Sequence, residues 1–244
     1  MTPFRKRLIA VVNIFLLAGC MLFADTAITS GQSFKPNKTP IRTPFVPAID
    51  NNDFSSGYSF AYVAPSKSNS GFILDEWSNI LDHERAQPTF KGEIMNVNKQ
   101  DIVKQWRKLY QMVQATEFEG NAFEAKLKLV NGFFNQWPYQ PDSKNWHKND
   151  YWATPREFIL NSGDCEDYAI VKYFALRALR VPAANMAVAI VNDRANNITH
   201  AVLVVTNGSD FYTLDNATNL IYHNSTHAEY IPYFFMNEHT VWQP

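Results

Sequence analysis

The spacing of the apolar residues changes at Pro182, and this change limits the folds that the chain can adopt. Before Pro182, apolar residues recur every three or four positions, which is typical of amphipathic helices. The helices predicted in this way cover residues 101–114, residues 121–136 and a stretch from Cys165 to just before Pro182. After Pro182, short runs rich in Val, Ile, Leu and aromatic residues predict strands over 186–191, 199–205 and 210–214. Helices followed by antiparallel strands predict an α+β fold, in which helices pack on an antiparallel sheet.

The third predicted helix is apolar almost all round, so we expect it to lie buried at the centre of the fold. It begins at Cys165, and a helix N-terminus carries unpaired N–H groups and the positive end of the helix dipole. Both features stabilise a thiolate, which is the nucleophilic form of cysteine. The backbone N–H of Cys165 is also placed to help bind an oxyanion. The position of Cys165 therefore favours a nucleophile over an inert buried thiol.

A predicted hairpin supplies partners for this cysteine. Asn207-Gly208 separates two predicted strands, and this pair is typical of a two-residue turn. With Asn207 and Gly208 as the central turn residues, His200 faces Asp215, with Cβ atoms about 5 Å apart. A carboxylate there would fix the imidazole tautomer and stabilise its charged form, so the sequence predicts a triad of Cys165, His200 and Asp215. A three-residue turn would instead place His200 and Asp215 on opposite faces of the sheet.

Three acids surround the predicted nucleophile: Asp164, Glu166 and Asp167. Their charges would raise the pKa of the Cys165 thiol and so oppose the thiolate. One interpretation is helix capping, with Asp164 as the N-cap and acids in the first helical turn. The other is a bound calcium ion, because carboxylates are its preferred ligands and a cation would reverse the local charge balance.

The N-terminus predicts export from the cytoplasm. A basic stretch, Arg5-Lys6-Arg7, precedes an apolar run over residues 8–17 that is too short to span a membrane. The run ends in Leu17-Ala18-Gly19-Cys20, which resembles a bacterial lipobox and would make Cys20 the lipidated first residue. The alternative is ordinary signal cleavage near Ala24 or Ala27. Both interpretations place the mature protein outside the cytoplasm.

The remaining organisation follows from composition. We expect a signal peptide over residues 1–27, a flexible tether rich in Pro, Ser and Asn over 28–70, and a folded domain over 71–244. The chain has two cysteines, and Cys20 belongs to the signal region, so Cys165 is expected to be a free thiol. A net charge of −1 argues against a nucleic-acid binder, which would carry a basic face.

Several motifs resemble the bacterial transglutaminase-like cysteine proteinases, over residues from about 101 to 242. The segments that carry the resemblance are residues 150–158, 163–174, 176–177, 181–182, 200–203 and 214–216. The most specific of them is Gly163-Asp164-Cys165-Glu166-Asp167. Residues before about 75 are not covered.

The resemblance implies a papain-like, transglutaminase-type core with Cys165, His200 and Asp215 as the triad. It also implies calcium beside the nucleophile, held by Asp164 and Glu166, with Asp167 as a third expected ligand. The implied substrate is the N-terminal region of a large surface adhesin, cut in the periplasm at paired alanines to control biofilm attachment. The implied regulator is an inner-membrane cyclic-di-GMP receptor of the LapD type.

Two points stay open at the level of the sequence. The resemblance implies a protein that is soluble in the periplasm, whereas the lipobox and tether of this chain, if Cys20 is lipidated, imply a membrane-anchored one. The same triad also suits a transglutaminase or an amidase acting on peptidoglycan peptides, and a non-enzymatic binding module is a further alternative that the intact triad disfavours.

Overall fold

Helices precede strands in the computed structural model, as the apolar spacing predicts. The structure describes residues 70–116, 120–208, 210–223, 229–239 and 241–242. The predicted signal peptide with Cys20, and the tether up to residue 69, lie outside the described residues. Within the described residues, no helix combines the length and the apolar character needed to cross a membrane.

Six α-helices are described, and three of them match the predicted ones to within a few residues. The helices are α1 (Ser70–Ala86), α2 (Gln100–Thr116), α3 (Ala122–Phe134), α4 (Asp142–Asn145), α5 (Pro155–Asn161) and α6 (Cys165–Ala178). The predicted helices correspond to α2, α3 and α6, whereas α1, α4 and α5 had not been expected. A short 3₁₀ turn, Ala183–Asn185, leads from α6 into the sheet.

The strands after this turn form one antiparallel sheet. Its members are β3 (Met186–Asp193), β4 (Ile198–Asn207), β5 (Asp210–Leu214), β6 (Ile221–His223), β7 (Tyr230–Met236) and β8 (Val241–Trp242). They lie in the order β6-β5-β4-β3-β7-β8. A separate two-stranded ribbon, β1 (Phe90–Lys91) with β2 (Ile94–Met95), precedes α2. The α+β fold predicted from the sequence, with helices on an antiparallel sheet, is therefore confirmed.

Helix α6 is the centre of the core. Most of its residues are buried, including the large side chains of Tyr173 and Leu176, as its apolar composition predicts. It packs on β3 and β4, whose inward-facing residues Val188 and Leu203 belong to the same apolar cluster as the helix. Burial of this helix fixes where its N-terminus, and so Cys165, meets the sheet.

The β4–β5 hairpin differs from the prediction by two residues in register. Asn207 pairs with Asp210 and Leu203 with Leu214, so Gly208 is the first residue of the turn and Asn207 still belongs to the strand. Gly208 takes a φ of 67°, which a residue without a Cβ adopts at little cost, and Asn207 is spared that conformation. The predicted register, in which His200 directly faces Asp215, is therefore wrong. Because side chains alternate with period two, a shift of two residues keeps every side chain on its predicted face.

Candidate active site

The N-terminus of α6 is built by a network of backbone hydrogen bonds around Asp167. The two carboxylate oxygens of Asp167 accept the backbone N–H groups of Ala153 at 2.7 Å and of Asp164, the N-cap residue, at 3.2 Å. A Cβ at position 163 would collide with the Asp167 side chain, which explains the glycine before the acidic motif. Asp167 therefore fixes the first turn of the helix.

Cys165 is the first residue of α6 and is a free cysteine. Its Sγ donates a hydrogen bond to Glu166 Oε2 at 3.1 Å. Burial, and then the negative charge of Glu166, raise the pKa of the Cys165 thiol well above its ordinary value, while a backbone hydrogen bond from Ala201 opposes the shift. Ionised carboxylates at Glu166 and Asp164 therefore favour the protonated thiol.

His200 and Asp215 meet across the β4–β5 hairpin. His200 is 8% exposed, and its Nε2 lies 3.0 Å from Asp215 Oδ1. An ionised carboxylate only accepts hydrogen bonds, so Nε2 carries the proton and Nδ1 is left to exchange a proton with a nucleophile. Ala201, the residue after His200, is the one whose backbone faces the Cys165 sulfur. The structure therefore brings the helix terminus and the histidine strand to one place.

Asp215 is held as an anion by three donors. Its Oδ1 also accepts the backbone N–H of Ala217 at 2.9 Å, and its Oδ2 accepts the Tyr230 hydroxyl at 2.7 Å. Burial alone would raise the pKa of Asp215, but the hydrogen bonds from His200, Ala217 and Tyr230 outweigh it and hold that pKa well below its usual value. Asp215 is thus ionised at any working pH, as a residue that orients an imidazole must be.

A cluster of carboxylates lies beside the thiol. Ligand atoms within 4.8 Å of one another occur in three groups: Asp164 with Cys165 and Glu166; Asp142 with Asp164 and Asp167; and Asp142 with Asp150 and Glu166. Burial, and then the charge of Asp164, raise the pKa of Asp142 to about 6. Burial is also the first cause that raises the pKa of Asp164 and of Glu166. Acidic side chains are thus concentrated beside the thiol, and the charge of Lys148 only partly offsets the raised pKa of Asp142.

The donor set fits a hard cation. Asp142 Oδ1 and Asp164 Oδ1 are buried and have no hydrogen-bond partner among the described residues. Two orphaned carboxylate oxygens within one acidic cluster are what a calcium ion would satisfy. Of the three predicted ligands, Asp164 and Glu166 lie in this cluster with free or displaceable oxygens, whereas both oxygens of Asp167 already hold backbone N–H groups.

Sequence reasoning missed Asp142, Asp150 and Tyr230. Asp150 opens a segment that carries the family resemblance, so the motif itself was the signal for it. Asp142 follows Pro141 at the start of the four-residue helix α4, and nothing in the sequence links it to Cys165. Tyr230 begins β7, a strand that had not been predicted.

The chain is similar to one protein family and to solved structures of one protease. The sequence model of the family described as bacterial transglutaminase-like cysteine proteinase BTLCP matches residues 111–244. A solved structure of Legionella pneumophila LapG, EGTA-treated, is 28% identical with a TM-score of 0.50, covering 68% of this chain and 84% of that chain. Calcium-bound Legionella pneumophila LapG is 27% identical with a TM-score of 0.49, covering 67% of this chain and 87% of that chain. A search of the curated proteins gave no match.

The family match spans more than half of the chain and contains Cys165, His200 and Asp215. The family resemblance and the enzyme class expected from the sequence are therefore confirmed. This chain belongs to the bacterial transglutaminase-like cysteine proteinases and is a cysteine peptidase.

Proposed function

We propose that this protein is a periplasmic, calcium-dependent endopeptidase that cleaves the N-terminal region of a large surface adhesin. Cys165 is the nucleophile, His200 the general base and Asp215 the residue that orients the base. One observation carries the proposal. The Cys165 thiol, at the N-terminus of α6, accepts a hydrogen bond from the backbone of Ala201, and Ala201 is the residue after His200, which is hydrogen-bonded to Asp215.

In the proposed reaction, Nδ1 of His200 takes the proton of Cys165, while the Nε2–H group of His200 keeps its hydrogen bond to Asp215. The thiolate attacks the carbonyl carbon of the scissile peptide bond, and the backbone N–H of Cys165 donates to the oxyanion. The imidazolium then gives its proton to the leaving amine, which departs with the C-terminal part of the substrate. Water, deprotonated by His200, hydrolyses the thioester and releases the N-terminal part.

The acidic cluster requires a cation for this chemistry. With its carboxylates ionised, the cluster disfavours the thiolate, and Glu166 accepts a hydrogen bond from the protonated thiol. Asp142, Asp164 and Glu166 would hold calcium, because each lies in overlapping groups of ligand atoms within 4.8 Å of one another, and Asp150 shares a group with Asp142 and Glu166. Bound calcium would supply the positive charge that neutralises these acids and lowers the cost of the thiolate.

Substrate, regulator and location follow from similarity rather than from geometry. The EGTA-treated LapG structure, 28% identical over 68% of this chain, supports a LapG-like protease that acts on a surface adhesin. Control by an inner-membrane receptor of the LapD type that senses cyclic-di-GMP belongs to the same proposal. The lipobox adds an anchor at Cys20, which an intact mass measurement on membrane-extracted protein would detect as lipid on that residue.

Product analysis tests the reaction type. The purified protein is incubated with calcium and an N-terminal adhesin fragment from the same organism, with and without cadaverine as an added amine. With and without cadaverine, we expect two fragments, and the N-terminal fragment should end in a free carboxylate. Cadaverine joined to an uncut fragment would instead identify a transglutaminase, and an intact, unmodified fragment would contradict both activities.

Calcium dependence has a separate test. EGTA should abolish cleavage and lower the melting temperature, and added calcium should restore both, because a ligand that binds only the native state stabilises it. By calorimetry, Asp142→Asn and Glu166→Gln should each weaken calcium binding at least tenfold, whereas Asp101→Asn, at an exposed acid in the first turn of α2, should leave binding unchanged. Full activity in EGTA, with no calorimetric signal for calcium binding, would contradict the calcium site and leave helix capping as the role of Asp164 and Glu166.

A further inference from the structure

Tyr230 reaches the predicted catalytic pair from the far side of a strand. It is the first residue of β7 and pairs with Asp193 of β3. His200 lies in β4, on the opposite side of β3, where it pairs with Val191. The Tyr230 side chain therefore extends across β3 to reach the His200–Asp215 pair.

Tyr230 contacts both members of the pair. Its hydroxyl donates to Asp215 Oδ2 at 2.7 Å, and its ring meets the His200 ring edge to face, with centroids 5.8 Å apart and planes at 67°. His200 Nε2 forms its hydrogen bond with the other carboxylate oxygen of Asp215, Oδ1. Oδ1 accepts from His200 and from the backbone N–H of Ala217, and Oδ2 accepts from Tyr230, so the Asp215 carboxylate cannot rotate without losing at least one of these charge-assisted hydrogen bonds.

The backbone of Asp215 is fixed from a third direction. Asn135, at the end of α3, donates from its side-chain amide to the carbonyl of Asp215 at 2.9 Å and to that of Thr218 at 2.8 Å. The turn that follows β5 is thereby held against the helical layer. The carboxylate itself is held on Oδ1 by His200 and Ala217, and Tyr230 is the side chain that fixes Oδ2.

We propose that Tyr230 is a positioning residue of the reaction: it holds the Asp215 carboxylate and covers the His200 ring, and so keeps Nδ1 aimed at Cys165. The inference rests on the proposed function, because it assigns Tyr230 a role through Asp215 and His200. Tyr230 touches neither the substrate nor the nucleophile in this account, so its loss should slow the chemical step without weakening substrate binding.

Tyr230→Phe removes the hydroxyl and keeps the ring, which makes it the sharpest variant. We expect kcat on the adhesin fragment to fall roughly ten- to a hundredfold, with KM unchanged within twofold. Tyr233→Phe is the matched control, since Tyr233 lies in the same strand and is 36% exposed, and it should retain wild-type kcat. Rates are normalised to folded protein, measured from the thermal unfolding transition of each variant.

A double-variant cycle separates positioning from a purely structural role. In the Asp215→Asn background, Tyr230→Phe should cost little further rate, because the carboxylate on which it acts is already gone. An unchanged kcat in Tyr230→Phe, or a rate loss that is equally large in the Asp215→Asn background, would overturn the inference and leave the protease standing. Cleavage by Cys165→Ser, in contrast, would overturn the proposed function itself.

Discussion

Lys172 is a charged residue type in the middle of the core. It lies in α6 with no exposed surface, its Nζ has no hydrogen-bond partner among the described residues, and it sits 5.5 Å from the Tyr168 ring centroid. Burial lowers the pKa of Lys172 to about 7, and the charge of Asp215 only partly opposes the shift. The Lys172 amine therefore changes from charged to neutral around pH 7 in the folded protein, instead of near its ordinary pKa.

The shift predicts a pH-dependent cost in stability. Between pH 7 and about 10.5 the unfolded chain binds the proton that folded Lys172 has released, so Lys172 destabilises the fold fully below pH 7 and progressively less as the pH rises. Lys172→Met should raise the free energy of unfolding by about 3–5 kcal/mol at pH 6, and by much less at pH 9.5. Urea unfolding at both pH values measures this, with Lys108→Met at an exposed site as control. An equal effect at both pH values would contradict it.

The predicted triad shows which residue-level inferences survive an error. His200 and Asp215 are hydrogen-bonded although their predicted register was wrong, because a slip of two residues preserves the face of every side chain. Asp142 and Tyr230 could not be found in the same way. They come to the site through chain segments whose approach depends on tertiary packing, and no local pattern encodes that approach.

At the level of elements, long periodic segments were predictable and short or interrupted ones were not. Helix α6 has a sustained apolar pattern and a clear start, whereas β7 contains Pro232, which argues against a strand by removing a ladder hydrogen bond. The structure accommodates Pro232 with a register shift opposite Ile190 and Val191 of β3. The start of helix α5 does have a local sequence signal, since Thr154 and Glu157 form a capping box around Pro155.

The start of α6 makes an element-level prediction about glycine. Gly163 faces the Asp167 side chain with no room for a Cβ, while Gly132, within α3, has no other atom within 4 Å of a built Cβ. Gly163→Ala should therefore lower the free energy of unfolding by about 1–3 kcal/mol and reduce kcat, because it displaces the carboxylate that fixes the first turn. Gly132→Ala should instead stabilise by up to about 1 kcal/mol. Denaturant unfolding and cleavage rates measure both, and a neutral Gly163→Ala would contradict this account of the helix start.

At the level of the whole molecule, the fold extends beyond the family match. Helix α1 precedes residue 111, where that match begins, yet its Trp77 and Ile80 are buried in the main core. Trp77 Nε1 donates to the carbonyl of Asn237 at 2.9 Å, which ties this first described helix to the segment after β7. The predicted division into signal peptide, tether and a domain over 71–244 stays a prediction. In the described part of that domain, one large apolar cluster joins the helices to the sheet, and a smaller one lies among the alternate residues of the strands.

This packing predicts that α1 is needed for stability. Trp77→Ala should lower the free energy of unfolding by about 3–5 kcal/mol, because it leaves a large cavity and removes the buried hydrogen bond from Trp77 Nε1 to the Asn237 carbonyl. Leu220→Ala, at a side chain that is 68% exposed, should change it by less than about 0.5 kcal/mol. Urea unfolding of the two variants measures the difference, and equal effects would show that α1 packs more loosely than described.

The measurement that most directly tests the central claim is the cleavage rate of Cys165→Ser on the adhesin fragment in the presence of calcium. The exchange is nearly isosteric, so the melting temperature should stay close to that of the wild type. The rate should fall by a factor of about a thousand or more, because a hydroxyl at this position is a far weaker nucleophile than the thiolate. A folded Cys165→Ser protein that keeps more than about a tenth of the wild-type rate would show that Cys165 is not the nucleophile.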